Sequence, residues 1–202
     1  MDIIFLLLVL AAFAVFRLKS KDQGRRIALL GRHLSQHQIE KLMESLTDGY
    51  LRALGEKDAE RQTQIWNLLA TSEQALCEQF DRFVADFSKV DAADARVSKL
   101  AVAIPFADKL FPAATFDLRQ ALAIHAQGIH RAVNNEAQRS PKNKAFTVSA
   151  ELFLMQHTCH WYCRSKTVAS ARMLARHKTA YVQLLASVDP ETRQAYGALV
   201  GS

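Results

Sequence analysis

The order of hydrophobic and polar residues divides the chain into one apolar N-terminal run and a series of amphipathic segments. Fourteen consecutive apolar residues fill positions 3–16, and Leu18 extends the run beyond Arg17. At about 1.5 Å per residue, 16 residues make about 24 Å of helix, which is near the shortest length that crosses a bilayer core of about 30 Å. The length alone fits a short membrane anchor, the core of a signal peptide or a buried helix.

Charge decides among these three alternatives. A signal peptide has basic residues before its apolar core, yet Asp2 is the only charged side chain that precedes the run, although Ala12-Phe13-Ala14 matches the small-x-small cleavage pattern. Basic residues follow the run instead, and a positive segment there resists translocation. They are Arg17, Lys19, Lys21, Arg25, Arg26 and Arg32. We therefore predict an uncleaved transmembrane anchor at residues 1–18, in contact with the lipid bilayer through residues 3–18.

The same charges predict the topology. The N-terminus is expected outside and the rest of the chain in the cytoplasm, in a pattern typical of a bacterial inner membrane protein. We further expect a basic juxtamembrane segment at residues 19–34, which can bind anionic lipid head groups at about 1 kcal/mol per charge. Setting the topology is a sufficient explanation for these charges by itself.

Beyond residue 34 the apolar positions recur at intervals of three and four, which predicts amphipathic helices. Ser35 followed by Gln38 has the spacing of a capping box and predicts a helix that ends at Gly55. Asp58 predicts the N-cap of a second, long helix. Its apolar stripe consists of Ile65, Leu69, Ser72, Leu76, Phe80, Phe83, Phe87 and Val90. These positions are separated by 4, 3, 4, 4, 3, 4 and 3 residues, and the two consecutive steps of four favour bundle packing over a long strict coiled coil.

The C-terminal half predicts further helices. One helix is expected from Thr115 to about Asn134, and a loop follows at residues 140–145. A long helix is expected over residues 147–188, and Asp189-Pro190 begins a short last helix. Seven Gly and four Pro in 202 residues leave few helix breakers. The predicted fold is therefore all-α, with the short anchor followed by an elongated bundle of about four main helices over residues 35–202.

One segment departs from this pattern. Leu100 to Phe116 is apolar, contains Pro105 and Pro112, and has only Asp108 and Lys109 as charges. These two charges at its centre argue against a second membrane span. We predict a short helix or turn that caps the apolar core, with a hydrophobic partner groove or a membrane-dipping loop as the functional alternative.

The charge distribution bears on nucleic acid binding. Residues 55–98 carry nine acids and five bases, net −4, whereas residues 140–188 carry one acid and seven bases, net +6. Two long helices of opposite charge are predicted to be partners, which explains a pI of 9.4 without nucleic acid. No zinc-finger, RNP-like or helix-turn-helix pattern accompanies the basic residues. A basic helical domain that binds anionic lipid or nucleic acid remains an alternative function.

The densest group of reactive side chains is His157-Thr158-Cys159-His160-Trp161-Tyr162-Cys163. Thiolate and imidazole are metal ligands, and Cys159, His160 and Cys163 are the candidates. One straight helix does not direct all of these ligands to one ion, because His157 points away from the two cysteines. A metal would need a further ligand, for which the sequence offers His125, His130, His177 and Cys77. Buried cysteines that act as small apolar side chains are the simpler interpretation.

The other polar positions do not form a recognisable catalytic or binding motif. His125 and His177 occupy apolar stripes and are expected to be core histidines, with a facing pair as the minor alternative. Three cysteines are an odd number without disulfide spacing, which fits a reducing compartment. No phosphate-binding loop, zinc-protease motif or nucleophile elbow is present.

We therefore expect no enzyme activity and no cofactor. By elimination the predicted function is a non-catalytic interaction or scaffold role at the cytoplasmic face of the membrane, with an unidentified protein partner. The aromatic candidates for partner contact are Phe106, Phe111, Trp161 and Tyr162. The rival from another class is a metal-binding or redox protein built on the cysteines and histidines.

Overall fold

A computed structural model describes residues 3–201, and this part of the chain contains nine α-helices and one two-stranded sheet. The all-α class predicted from the sequence is confirmed. The helices are α1 (Ile3–Leu34), α2 (Ile39–Gly55), α3 (Ala59–Phe87), α4 (Ala107–Leu110), α5 (Leu118–Asn134), α6 (Pro141–Cys163), α7 (Lys166–His177), α8 (Tyr181–Ser187) and α9 (Pro190–Val200). The strands are β1 (Arg96–Ser98) and β2 (Thr115–Asp117).

Helix α6 is the central element of the bundle. It packs against α1, α2, α5, α7 and α8, and it buries side chains on all its sides, as a helix inside a core does. Helix α3 packs against α2 and α5, with Leu69, Leu76, Phe80, Phe83 and Phe87 of the predicted stripe buried. The predicted acidic and basic helices thus have α5 as a common neighbour, and their charges meet where Lys144 pairs with Glu73.

The start of α2 differs from the prediction. Gln38 precedes the helix, and its side chain does not cap it. The hydroxyl of Ser35 instead donates to the carbonyl of Arg32 at 3.2 Å, because the chain there is still leaving the end of α1. The predicted cap of α3 is confirmed, since the Asp58 carboxylate accepts from the backbone N–H of Arg61 at 2.9 Å.

The long helix predicted over residues 147–188 is three helices. The chain leaves helical geometry after Cys163, and Ser165 caps α7 by accepting from the N–H of Val168. It breaks again at Lys178, whose φ of 53° is left-handed. The predicted loop at residues 140–145 is the first turn of α6, because Ser140 caps it and Pro141 occupies the first helical position.

The sheet was absent from the prediction. β1 and β2 pair in antiparallel register, with Val97 opposite Phe116, so residues 115–117 are extended and α5 begins at Leu118. Residues 99–114, called the β1–β2 connection below, join the strands through α4 and a 3₁₀ turn at Pro112–Ala114. Phe116 is buried in the core, as the capping hypothesis requires, whereas Val102 is exposed.

Candidate membrane attachment site

Helix α1 is continuous, but its two halves have different surroundings. Every side chain from Ile3 to Leu18 is exposed, and the large apolar ones there expose between 44% and 78% of their surface. Lys19 is the first half-buried residue, and Gln23 and Leu30 are buried. The residues predicted as an anchor and as a juxtamembrane segment are therefore one helix, of which only the second half packs against the bundle.

Within residues 3–201, α1 is the one helix long and apolar enough to span a membrane. Its most apolar 18-residue window has a mean hydropathy of 2.3, and none of that window is buried inside the protein. An apolar surface of this size is unusual on a protein that is surrounded only by water. The exposed half is thus the candidate for membrane contact.

Arg26 attaches the packed half of α1 to the bundle. Its guanidinium pairs with Asp108 at 3.0 Å and with Asp22 at 3.4 Å, and the Arg26 and Asp108 side chains expose only 13% and 11% of their surface. It also donates to the backbone carbonyl of Arg96 at 2.6 Å and lies 5.3 Å from the ring centre of Tyr162. One side chain therefore connects α1 with β1, the β1–β2 connection and α6.

Three further contacts hold the same half of α1. Arg164 donates to the buried amide oxygen of Gln23 at 2.6 Å, and Arg25 pairs with Asp94. Farther along, His33 contacts the carboxylate of Asp86 at 2.6 Å. This hydrogen bond to His33 lowers the pKa of Asp86 below its usual value. Contacts spread from Gln23 to His33, over about 15 Å of helix, fix the direction of α1 relative to the bundle.

The six basic residues predicted for the membrane surface thus divide into two groups. Arg17, Lys21 and Arg32 are exposed and Lys19 is half-buried, so these four present charge to the surroundings. Arg25 and Arg26 are engaged in ion pairs with acids of this chain. The pairing of the last two could not be read from the sequence, because Asp94 and Asp108 are far away along the chain.

Of the four aromatic residues predicted to contact a partner, two lie inside the protein. Trp161 and Tyr162 are each 2% exposed, and they donate to the carbonyls of Ser98 and Asp94, both at 2.8 Å. Both side chains pack against the chain around β1 and are not exposed for contact with a partner. Phe111 is 46% exposed, and Phe106 is half-buried with the ammonium of Lys109 5.7 Å from its ring centre.

The cysteine and histidine group does not converge on one point. Within residues 3–201, no three His, Cys, Asp or Glu side chains are placed to hold a metal ion. Cys159 is buried with its sulfur 3.8 Å from that of Met155, and burial raises the pKa of the Cys163 thiol to about 11. Both residues are free thiols. Burial also lowers the pKa of His160. This environment favours cysteines that pack as small apolar side chains.

Of the two histidines in the apolar stripes, His125 is a core residue, whereas His177 is only half-buried. His125 is fully buried, lies 2.9 Å from the hydroxyl of Thr158, and has its pKa lowered to about 3 by burial. His177 stacks on Phe153 and contacts Gln156 at 3.1 Å. The two rings are thus held by different neighbours and do not form the facing pair considered from the sequence.

Helix α6 contains a buried carboxyl group, that of Glu151. The sequence shows it only as the one acid of its helix and does not indicate its burial. Glu151 is fully buried and accepts from the backbone N–H of Asp189 at 2.9 Å. Burial raises its pKa to about 7. It lies against Gly128 of α5, where a Cβ atom would overlap Glu151 and Thr192. The acid therefore joins α5, α6 and α9 and has no open access.

A long groove runs between α2 on one side and α6 and α7 on the other. It consists of three adjoining cavities of about 340, 510 and 540 Å³. The 510 Å³ cavity lies between the other two, since it shares Met43 with the smallest and Thr47, Leu51 and Phe153 with the largest. Its α2 side carries acidic side chains, and its α7 side carries basic ones. These are Glu40, Glu44 and Asp48 opposite Arg172 and Arg176. The groove thus has apolar residues such as Met43, Leu51 and Phe153 among its lining, and its two sides carry opposite charge.

No family model, curated protein or solved structure matches the chain.

Proposed function

We propose that this is a single-pass membrane protein, anchored through residues 3–18, with its N-terminus outside and its helical bundle at the cytoplasmic face of a bacterial inner membrane. The observation that carries the proposal is α1, in which a fully exposed apolar half continues as one helix into a half that packs against the bundle. Insertion into lipid would remove the exposed apolar side chains from water, which is favourable by about 25 cal/mol per Å² of apolar surface.

The orientation is supported by charge. The bases at the end of the apolar half and just beyond it include Arg17, Lys19 and Lys21, and such charges are retained on the cytoplasmic side. Lys19 and Lys21 lie beyond the apolar stretch, and Arg17 can extend its charged end to the head groups. Three free thiols agree with the same compartment.

The proposed role of the bundle is a non-catalytic interaction or scaffold role. Because several contacts fix α1 to the bundle, the anchor holds the bundle in one orientation to the membrane. The surface proposed for the partner is the groove between α2 and α7, and the occupant that fits it is an amphipathic helix of another protein. Its apolar face would cover Met43 and Leu51, with basic residues toward Glu44 and acidic residues toward Arg176.

Membrane attachment is tested by two charges in the exposed half. The full chain and a Leu7→Lys/Ala11→Lys variant are expressed, and membranes are washed with alkaline carbonate. Each lysine near the centre of a span costs about 3 kcal/mol of insertion, so we expect the wild type to stay in the membrane and the variant to be released. Leu68→Lys, an exposed leucine in α3, is the matched control. A variant retained as fully as the wild type would contradict attachment through α1.

The partner surface is tested separately, by photo-crosslinking in cells. A benzophenone amino acid replaces Leu51, in the groove, or Leu68, which is equally exposed but outside it. We expect a discrete adduct from position 51 that Glu44→Lys weakens, since reversal of one wall charge repels the basic side of the partner. Identical adducts from both positions, or no effect of Glu44→Lys, would remove the groove from the proposal.

A further inference from the structure

The β1–β2 connection exposes several large apolar side chains close together along the chain. Val102 and Leu110 are each 62% exposed, Phe111 is 46% exposed and Ile104 is 36% exposed. Large apolar groups that cluster on a surface mark a site of contact with another molecule or with a membrane. The sequence alone left open whether this segment is buried or offered outward, and the structure shows that these four side chains face outward.

The connection is held in place against other elements. Asp108 pairs with Arg26 of α1, and the hydroxyl of Thr167 in α7 donates to the carbonyl of Ala101 at 2.6 Å. Just after β1, the N–H of Lys99 donates to the carbonyl of Ala114 at 2.8 Å. The exposed apolar side chains are therefore presented from a fixed position.

That position is the end of the bundle nearest the exposed half of α1. Lys19 and Asp22 line a small cavity together with Val102, Ala103 and Ile104. Since Lys19 is the first half-buried residue of α1, the connection lies beside the point at which the apolar half begins. Helix α3 runs away from this end, because His33 contacts Asp86 while His37, later in the chain, contacts Phe83, earlier in α3. The N-terminal part of α3, which includes Leu68, is therefore directed away from the exposed half of α1.

The length of the apolar half sets the depth of this point in a membrane. Sixteen residues span about 24 Å, some 6 Å less than a core of about 30 Å, and the head-group layer adds about 5–7 Å on each side. To bury the whole apolar half, the chain around Lys19 and Asp22 has to reach the boundary between acyl chains and head groups. Val102 and Ile104 lie beside Lys19 and Asp22, so they reach the same depth.

The charges near the connection suit an anionic lipid surface. Lys21 is exposed and Lys19 is half-buried at this end of the bundle. Lys109 is exposed beside Arg25 and Leu29, farther along α1, and Asp108, the acid of α4, is already paired with Arg26. Apolar side chains surrounded by lysines are the composition of segments that lie in the membrane interface.

We infer that the β1–β2 connection is a second membrane contact, which inserts Val102 and Leu110 into the interface of the leaflet next to the bundle. The inference depends on the proposed attachment through α1. Two separate contacts would fix the tilt of the bundle relative to the membrane plane, and so the angle at which the groove is presented to that plane.

The test measures lipid contact at single positions in the full chain. A Cys163→Ser background removes the one half-buried thiol, and a single cysteine at position 102 or 110 carries an environment-sensitive fluorophore. The protein is reconstituted in vesicles of phosphatidylcholine and phosphatidylglycerol with nitroxide-labelled lipid as quencher. Leu10→Cys in the exposed half of α1 reports attachment, and Leu68→Cys, 73% exposed in α3, is the control away from the membrane.

We expect quenching at positions 10, 102 and 110 that is several-fold stronger than at position 68. Quenching at position 10, with positions 102 and 110 no more quenched than position 68, would overturn the second contact and leave the attachment intact. Absence of quenching at positions 10, 102 and 110 would overturn both proposals. Quenching at 102 and 110 without quenching at 10 would support lipid contact by the connection and contradict the anchor.

Discussion

Arg26 is the residue on which the attachment of α1 to the bundle depends most. Its guanidinium is largely buried between Asp22 and Asp108. Removal of one partner of a buried ion pair leaves the other charge without compensation, at a cost of about 3–5 kcal/mol for a fully buried pair and less at this partial exposure.

We therefore expect Arg26→Gln to lower the free energy of unfolding by about 2–3 kcal/mol, measured by urea denaturation of the full chain in detergent. Arg32→Gln, at an exposed position of the same helix, should change it by less than about 0.5 kcal/mol. Equal effects of the two substitutions would show that the pair with Asp108 does not hold α1 to the bundle.

Gly128 is the tightest point between α5 and its neighbours. A Cβ atom there would overlap the side chains of Glu151 and Thr192, whereas one at Gly24 would meet nothing within 4 Å. Overpacking a rigid interior costs about 1–3 kcal/mol, but Ala in an open helical position is about 1 kcal/mol more favourable than Gly. We expect Gly128→Ala to lower the melting temperature and Gly24→Ala to raise it. Two shifts of the same sign would contradict this packing.

Glu151 makes part of the stability depend on pH. Burial raises its pKa from 4.5 to about 7, so between these values the folded state binds a proton that the unfolded state has lost. The carboxyl therefore contributes stability that is fully present below pH 4.5 and is lost as the pH rises through about 7. The hydrogen bonds from the Asp189 N–H and from Thr192 oppose this rise in the pKa, as does the charge of Arg131, whereas the charge of Asp189 adds to it.

Glu151→Gln removes this titration and keeps an acceptor for the N–H of Asp189. The stability of the variant relative to the wild type should increase steadily from pH 5 to pH 8, as measured by urea denaturation at each pH. The difference between variant and wild type cancels the opposing titration of the buried histidines. Glu44→Gln, at an exposed position, is the control, and a difference for Glu151→Gln that stays constant with pH would refute the assignment.

The sequence could not reveal these residue-scale features. Glu151 stands in an apolar helix as an ordinary acid, and its burial depends on α5 and α9, which are distant in the chain. Trp161 and Tyr162 fall outside the apolar stripe, so they look like surface residues. They are buried because α6 is covered on all sides, which no single helical pattern indicates.

At the scale of elements, the continuity of α1 is the feature on which the proposed function depends. Because residues 3–34 form one helix, the exposed half has a fixed direction relative to the bundle. Ser20 is exposed and lies where the two halves meet. Proline at this position would remove a backbone hydrogen bond and clash with the carbonyl of Phe16, which bends or breaks a helix.

Spin labels at Leu10→Cys and Leu68→Cys measure this coupling in nanodiscs, in the Cys163→Ser background. We expect a narrow distance distribution in the otherwise wild-type chain and a broad or shifted one with Ser20→Pro. Ser20→Ala should leave the distribution narrow. If the distribution is already broad without proline, the anchor is a flexible tether.

The elements that the sequence predicted correctly are those with a local signal. Asp58 and Asp189-Pro190 mark helix starts by their own chemistry, and the stripe of α3 lies on one face of one helix. The apolar periodicity of residues 147–188 continued across breaks at Ser165 and Lys178, because the same spacing suits three helices packed on one core. The pairing of β1 with β2 depends on contacts across some 20 residues, which periodicity does not report.

At the scale of the whole molecule, the apolar half of α1 and the β1–β2 connection lie at the same end of the bundle. The bases near this end predict that it faces the cytoplasmic leaflet. The groove between α2 and α7 would then open to the cytoplasm in an orientation set by α1. All of the functional proposals therefore depend on the side of the membrane on which the bundle lies.

That placement is measured most directly with a C-terminal epitope tag on the full chain, in spheroplasts treated with protease. We expect a tag that is protected in intact spheroplasts and digested after detergent is added, with all of the protein in the carbonate-washed membrane. A tag digested in intact spheroplasts, or a shortened soluble form in the periplasm, would contradict it. In that case α1 would be a reversed anchor or a cleaved signal, and the three free thiols would lie in an oxidising compartment.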